Sequence, residues 1–485
     1  MSELDCDDDA SDVDARRIAA VSVRVALFLA AGATARWAVL RVAPRVPRSV
    51  ALLVGGAVTA GLTAHWVWRV RSDDSASYWQ LMPPHWEESA ELVRLVFARF
   101  RRDVVARHRR HPFLLNLLLA DLVQERLNAA EPSGPPLLAA ELPEQLALFT
   151  AFALASYGFF LPNALQTAEL PRPLPELVAA KTGVAESDVL FFNHSLAASL
   201  SSEHRAVSRS VDKEHVTLPR YFLALHRPTK SLVLAIRGSV AVRDIVTDLL
   251  CDSVAFLYGA AHRGILGAAK TVLADAAPRI AEQLQLHPDF RIVITGHSLG
   301  GGCATLIALL LLSGMPSLPL QLSAEQRASL RCFAIAPPPV VGPASAFTAA
   351  VLGFDPARHI VALVNGDDVV PRLSFHSVSR LVGAVDAVDS LPLSLAERIS
   401  ALRRSDAAAV EAHLSPAQRA LFLFDAVASD DVADPELTLC GTVLWKRNDK
   451  HWREDAAGRL QHILLSKTML MDHFPASYAT PIVDR

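Results

Sequence analysis

The chain has 485 residues, of which 51% are hydrophobic and 20% are charged, and its formal net charge is -3. That length allows two or three units of domain size, and the hydrophobic content is ample for a large core. The nearly balanced charge gives no support to a nucleic-acid partner. A mean hydropathy of +0.28 is high for a soluble protein and favours contact with a membrane. The five cysteines are scattered without metal-ligand spacing, so we interpret them as reduced thiols.

The N-terminal part is predicted to hold a membrane anchor. Residues 1–17 form an acidic tail that argues against a secretory or organellar targeting peptide. Residues 18–72 form the predicted anchor region, with one or two transmembrane helices. The stronger candidate, Ser49–Trp68, carries no formal charge and is long enough for the ~30 Å of a bilayer core. Arg24 interrupts the weaker candidate, Ile18–Ala35. The sequence thus predicts an integral protein of the plasma membrane or an endomembrane.

Residues 73–137 are predicted to be a helical basic region followed by a linker. Their arginines alternate with apolar residues, which suits either a helix lying on anionic lipid or a solvated helix face. The Pro- and Gly-containing stretch 131–136 is the clearest domain boundary. Beyond it, residues 138–485 are predicted to form a globular domain with an insertion at about 380–435. The apolar run Leu146–Phe160 is short for a membrane span, and we interpret it as a buried helix.

Two β-strands, Tyr221–Leu225 and Leu232–Ile236, are predicted around a turn. The second strand is followed directly by Arg237, Gly238 and Ser239. A glycine and a hydroxyl residue at the end of a strand suit an oxyanion hole, in which N–H groups bind the negative charge that develops on a substrate oxygen. The alternative is an ordinary loop serine.

The run from Phe290 to Ala304 predicts a strand, a tight elbow and a helix. The pattern G-x-S-x-G is filled by Gly296, His297, Ser298, Leu299 and Gly300. Such a pattern also occurs by chance, but an apolar strand before it and an apolar helix after it favour a catalytic serine. The amide of Leu299, at the start of the helix, would be a second oxyanion donor.

A nucleophilic serine needs a histidine as base and a carboxylate to orient that histidine. The predicted strand Ile360–Val364 is followed by Asp367 and Asp368, and position alone does not separate the two. Hydrolases of this type place the histidine after the aspartate. The later histidines are His376, His413, His451, His462 and His473. A late loop ahead of a proline favours His473, although spacing alone leaves the others open.

Together these motifs resemble the class 3 lipase family, and within it the sn-1-specific diacylglycerol lipases. The likeness runs from about Leu146 to Tyr478. Four blocks carry it: residues 152–158, residues 237–249 with 262–264, the elbow, and residues 368–373 with 472–473. The resemblance implies that Asp368, which precedes Val-Val-Pro, is the carboxylate and that His473 is the base. Ser239 departs from the family's usual threonine, and animal diacylglycerol lipases resemble four-span proteins, whereas one or two spans are predicted here.

The predicted fold is an α/β-hydrolase with a mostly parallel central sheet flanked by helices, preceded by the helical membrane-anchor region. The predicted function is a membrane-associated serine lipase that converts diacylglycerol to monoacylglycerol and fatty acid through Ser298, His473 and Asp368. The N–H groups of Ser239 and Leu299 would bind the oxyanion, with no metal or organic cofactor. Its predicted partners are a glycerolipid substrate and the bilayer. The alternatives are a phospholipase A1 or triacylglycerol lipase with the same triad, and a catalytically silent membrane scaffold.

Overall fold

The computed structural model describes residues 111, 113–127, 137, 145–157, 174–193, 219–238, 253–423, 435–446, 451–455, 460–464, 468–469 and 471–479. These residues belong to one compact unit, His108–Arg485. Across these ranges, no helix combines the length and the apolar character that a bilayer crossing requires. The two predicted membrane spans, the acidic tail and residues 73–110 of the basic region lie outside the described residues.

An eight-stranded sheet forms the centre of the unit, in the order β1-β2-β3-β6-β7-β9-β10-β11. Its strands are β1 (Val189–Phe192), β2 (Tyr221–His226), β3 (Ser231–Ile236), β6 (Arg291–His297), β7 (Arg331–Ile335), β9 (Ile360–Asn365), β10 (Thr442–Lys446) and β11 (Trp452–Asp455). The five strands from β3 to β10 in this order pair in parallel, and the pairs at the two edges are antiparallel. The predicted mostly parallel sheet is therefore confirmed.

The described residues also form α-helices, several of which pack on the two faces of the sheet. They are α1 (Phe113–Leu127), α2 (Leu146–Ala155), α3 (Leu174–Thr182), α4 (Arg263–Leu286), α5 (Leu299–Ser313), α6 (Ala324–Ser329), α7 (Ala349–Leu352), α8 (Phe375–Ser390), α9 (Leu395–Arg404), α10 (Ala407–Glu411), α11 (Pro416–Ala420) and α12 (Pro475–Ala479). A second sheet, antiparallel, contains β4 (Ser253–Phe256), β5 (Gly259–His262) and β8 (Val341–Gly342).

The central strands are buried on both faces, as parallel strands between two layers of helices must be. Every residue of β3 is buried, and its side chains alternate between two cores. Leu232, Leu234 and Ile236 pack with α4 and α5, whereas Val233 and Ala235 pack with α2 and α3. The interpretation of an apolar buried helix is confirmed in α2, and the two strands predicted around the turn are β2 and β3, each one residue longer than predicted.

Residues 380–423, the described part of the segment predicted as an insertion, are largely helical and share a core with α1. Apolar residues of α1 (Leu119, Ala120 and Val123) pack against those of α8, α9 and α10. The side chain of Arg398 in α9 is fully buried, donates to Asn116 of α1 at 3.0 Å, and also donates to backbone carbonyls of the insertion. A buried guanidinium is stable only when hydrogen-bonded in this way. Helix α1 is thereby fixed to the insertion.

Candidate active site

Ser298 lies between the end of β6 and the start of α5, at the carboxyl edge of the parallel strands. Its backbone has φ 60° and ψ -129°, a conformation that non-glycine residues rarely adopt and that is typical of strained functional turns. The two glycines of the elbow let the turn pack. A Cβ on Gly296 would lie against the backbone of Gly300, and a Cβ on Gly300 would overlap the backbone of Ile236 in β3.

Gly300→Ala is expected to lower the free energy of unfolding by about 3 kcal/mol, because the added methyl group would sit 2.8 Å from the carbonyl carbon of Ile236. A central strand cannot move away, as both of its faces are packed. Gly264→Ala is the matched control, since its Cβ would meet only the ring of His262 at 3.7 Å and alanine is the better helix former. Urea unfolding followed by circular dichroism measures both; equal stability of the two variants would contradict this account of the elbow.

Three predicted residues meet in one hydrogen-bonded chain. The Oγ of Ser298 lies 2.9 Å from Nε2 of His473, and Nδ1 of His473 lies 3.0 Å from both carboxylate oxygens of Asp368. A carboxylate only accepts, so Nδ1 carries the imidazole proton and Nε2 is left as the acceptor for the serine hydroxyl. Ser298 and Asp368 are fully buried and His473 is 5% exposed, so these bonds form in a medium of low dielectric.

Both oxygens of Asp368 accept further hydrogen bonds. The Tyr478 hydroxyl donates to Oδ2 at 2.7 Å, and the Val370 amide donates to Oδ1 at 2.9 Å. The Tyr478 oxygen itself accepts from the Asn365 amide at 2.8 Å, which leaves its proton directed at the carboxylate. Burial and the nearby Asp368 charge raise the pKa of Tyr478 well above its ordinary value, so it remains a donor. These contacts fix the orientation of the carboxylate.

His297, the residue before the serine, supports the main chain of His473. Its Nε2 donates to the His473 carbonyl at 3.0 Å, and its Nδ1 lies 2.7 Å from the Tyr157 hydroxyl. Because a carbonyl only accepts, Nε2 carries the proton and Nδ1 accepts from Tyr157. Burial, with a smaller effect of His473, lowers the pKa of His297 well below its ordinary value, so the ring is neutral and keeps this orientation.

The other candidates occupy different places. His376 lies in α8, His413 and His451 are exposed, and His462 is buried. Burial, together with nearby Arg380 and Arg372, lowers the pKa of His462 to about 4. Within the described ranges, His473 is the one histidine that reaches Ser298. The backbone N–H of Asp367 donates to Asp472 at 2.9 Å, whereas its neighbour Asp368 meets the imidazole.

Of the two predicted oxyanion donors, one lies within the residues that the structure describes. Leu299 is the first residue of α5, so its amide belongs to the N–H groups that have no partner within the helix. Ser239 lies outside the described residues. Its neighbour Gly238 lies against the nucleophile, since a Cβ there would be 2.9 Å from Cβ of Ser298. No group of three or more His, Cys, Asp or Glu side chains in the described part of the chain could hold a metal ion.

The roles of Tyr157 and Tyr478 were missed from the sequence, although both residues lie in the range of the family resemblance. Each contact joins segments more than one hundred residues apart, and no local spacing reports such a contact. The available signal was the presence of a tyrosine near each catalytic block. That signal becomes informative only when the elbow is known to meet the segment that carries His473 and Tyr478.

A serine, a histidine and an aspartate in this relay, at the carboxyl edge of a mostly parallel sheet, define the class of α/β serine hydrolases. Residues 233–378 match the Lipase (class 3) family model. This part of the chain is therefore similar to class 3 lipases.

Several proteins similar to this chain are lipases by name. The chain is 28% identical over 171 residues to mouse (Mus musculus) diacylglycerol lipase-beta, covering 33% of this chain and 23% of that protein. It is 29% identical over 205 residues to the secreted mono- and diacylglycerol lipase A of Penicillium cyclopium, covering 38% of this chain and 66% of the relative. Among solved structures, the native Rhizomucor miehei lipase propeptide complex has 17% identity and a TM-score of 0.40, covering 72% of this chain and 84% of that one. The chain thus spans less than a quarter of mouse diacylglycerol lipase-beta.

Proposed function

We propose that the chain is a membrane-associated serine lipase that hydrolyses an acyl ester of a glycerolipid, with Ser298 as nucleophile, His473 as general base and Asp368 as the carboxylate that orients it. The observation that carries this proposal is the continuous hydrogen-bonded chain from Asp368 through His473 to Ser298. In this arrangement Nδ1 of His473 can donate to Asp368 while Nε2 accepts the proton of the Ser298 hydroxyl, as nucleophilic attack requires.

The reaction has two halves. The Ser298 Oγ attacks the ester carbonyl carbon while His473 Nε2 takes the hydroxyl proton, and the carbonyl electrons move onto the oxygen. The N–H groups of Leu299 and Ser239 would bind that oxyanion. The bond to the alcohol then breaks, and the leaving alkoxide takes the proton from Nε2. Water repeats the cycle on the acyl-enzyme and releases the fatty acid and free Ser298.

Diacylglycerol is the favoured substrate in this proposal. Two of the named relatives carry diacylglycerol in their names, and the apolar segments within residues 18–72 would hold the site at a bilayer where such a lipid resides. The N–H groups and the triad act on any acyl ester, so the choice among lipids depends on how each one fits around Ser298.

The test is fatty-acid release from diacylglycerol, phosphatidylcholine and triacylglycerol in detergent micelles by the full chain and by Ser298→Ala. We expect release from the sn-1 position of diacylglycerol that is lost in the variant. Preference for phosphatidylcholine or triacylglycerol, also lost in the variant, would keep the triad and change the substrate to that of a phospholipase A1 or a triacylglycerol lipase. Equal background from both proteins, with folding verified by circular dichroism, would favour the catalytically silent scaffold.

A further inference from the structure

Two loops 105 residues apart in sequence meet beside the triad. One is the acid turn, which we define as residues 365–368, and the other is the histidine loop, residues 471–474. Besides the bond from His473 to Asp368, two further hydrogen bonds join them: Nδ2 of Asn365 donates to the Asp472 carbonyl at 3.4 Å, and the Asp367 amide donates to Oδ2 of Asp472 at 2.9 Å. Asp367 directly precedes Asp368, and Asp472 directly precedes His473. The hydrogen bond between Asp367 and Asp472 therefore lies one residue from each member of the catalytic pair.

The acid turn has room for the Asp472 carboxylate. Gly366 has φ +54°, and a Cβ on it would lie 2.7 Å from Cγ of Asp472. The absence of a side chain at Gly366 thus lets the carboxylate approach the main chain of the turn. The turn itself is fixed from its other side, because Trp445 in β10 donates from Nε1 to the Gly366 carbonyl at 2.8 Å. With the turn held by the sheet, the Asp472 bond constrains the histidine loop.

We infer that Asp472 is a positioning residue, which holds the histidine loop on the acid turn so that Nδ1 of His473 stays on Asp368. This inference rests on the proposed function, since it assigns Asp472 a role in the same triad. Asp472 acts through His473 and makes no contact with the reacting atoms. A displacement of about 1 Å in a catalytic group costs on the order of a hundredfold in rate, so one well-placed bond between the loops has a large effect.

The first test compares three substitutions of Asp472 by steady-state hydrolysis of one acyl ester. Asp472→Ala and the nearly isosteric Asp472→Leu remove the acceptor, and we expect kcat to fall about 10- to 100-fold with KM changed less than about threefold. Asp472→Asn keeps an amide oxygen that can accept from the Asp367 amide, so it should retain kcat within about threefold of the wild type. Rescue by asparagine separates the hydrogen bond from the carboxylate charge.

Asp406→Ala is the matched control. Asp406 has a similar partial exposure and accepts one backbone N–H, from Ala409 at 3.1 Å, but it lies in the insertion at the start of α10. Its removal should leave kcat unchanged. If Asp472→Ala and Asp472→Leu keep kcat as Asp406→Ala does, the inference is wrong. If Asp472→Ala does not fold, Asp472→Leu against Asp472→Asn provides the same comparison, and thermal unfolding of each variant verifies the fold.

A double-mutant cycle shows whether Asp472 acts through the catalytic pair. In an Asp368→Asn background the imidazole has already lost its partner, so Asp472→Ala should lower the remaining kcat less than about threefold. An undiminished loss in that background, or a loss expressed mainly in KM, would overturn the positioning role. Full activity of Ser298→Ala would instead refute the proposed function itself, so the two failures are distinguishable.

Discussion

Ser298→Ala is expected to lower kcat for ester hydrolysis by about 10⁶-fold, to the level left by binding and the oxyanion donors alone. The loss is large because His473 Nε2, 2.9 Å from Oγ, then has no hydroxyl to deprotonate. Removing one hydroxyl from a buried position leaves the backbone of the elbow in place. Single-turnover measurements with a chromogenic acyl ester, alongside the lipid substrates, quantify the loss and would also show the disappearance of the acyl-enzyme burst.

The matched control for this substitution is Ser313→Ala at the other end of α5. The Ser313 hydroxyl donates to the Leu310 carbonyl at 2.6 Å, so this variant likewise removes one hydrogen-bonded hydroxyl at an end of α5. It should retain the kcat of the wild type. A Ser298→Ala protein that keeps more than about one per cent of kcat would mean that another group supplies the nucleophile, and the roles proposed for His473 and Asp368 would fall with it.

The sheet and the elbow could be predicted because their causes are local. Apolar β-branched runs of about six residues, each ended by a turn, have few structures open to them other than buried strands. Positions 296 and 300 must be glycine because a Cβ there would overlap neighbouring backbone atoms. This requirement appears in the sequence as the pattern G-x-S-x-G. The strands and the turn at Ser298 could thus be predicted from residues that are close together in sequence.

The choice between Asp367 and Asp368 has no local cause. Adjacent residues in a turn point in different directions, and here the turn is in contact with Asp472, which lies 105 residues from Asp367 in sequence. The catalytic histidine cannot be predicted from spacing either. Five histidines follow Asp368, and their positions in sequence do not show which of them lies next to the elbow in the fold. The family resemblance selected Asp368 and His473, and these are the two that lie in hydrogen-bonding contact.

The pairing of α1 with the insertion was also invisible in the sequence. Residues 113–127 were assigned to a basic region because of the arginines that precede them. Residues about 380–435 were assigned to an insertion because a long stretch with alanine-rich amphipathic helices separates Asp368 from His473. Their shared core forms between apolar faces of helices that are far apart in sequence. Arg398 and Asn116 hydrogen-bond to each other within it. Helical periodicity predicts that a face is buried and leaves its partner undetermined.

Asp368→Asn is expected to lower kcat by about 10⁴-fold near neutral pH. The Tyr478 hydroxyl and the Val370 amide both donate to this side chain, so an asparagine amide in its place must direct N–H groups toward a donor or toward His473. Facing an N–H donor, Nδ1 of His473 becomes the acceptor and the ring proton moves to Nε2. Nε2 then points a proton at Ser298 and cannot act as the base.

Asp367→Asn is the discriminating control for that result. It changes the adjacent carboxylate in the same turn but leaves the main-chain N–H that donates to Asp472, so kcat should stay within about threefold of the wild type. Profiles of kcat and kcat/KM against pH for the two variants, with circular dichroism as a check on folding, make the comparison. A 10⁴-fold loss in Asp367→Asn with activity retained in Asp368→Asn would reverse the assignment. Because the two carboxylates are neighbours in one turn, a general weakening of the turn would reduce both variants alike, and only a difference between them reports the chemistry of the triad.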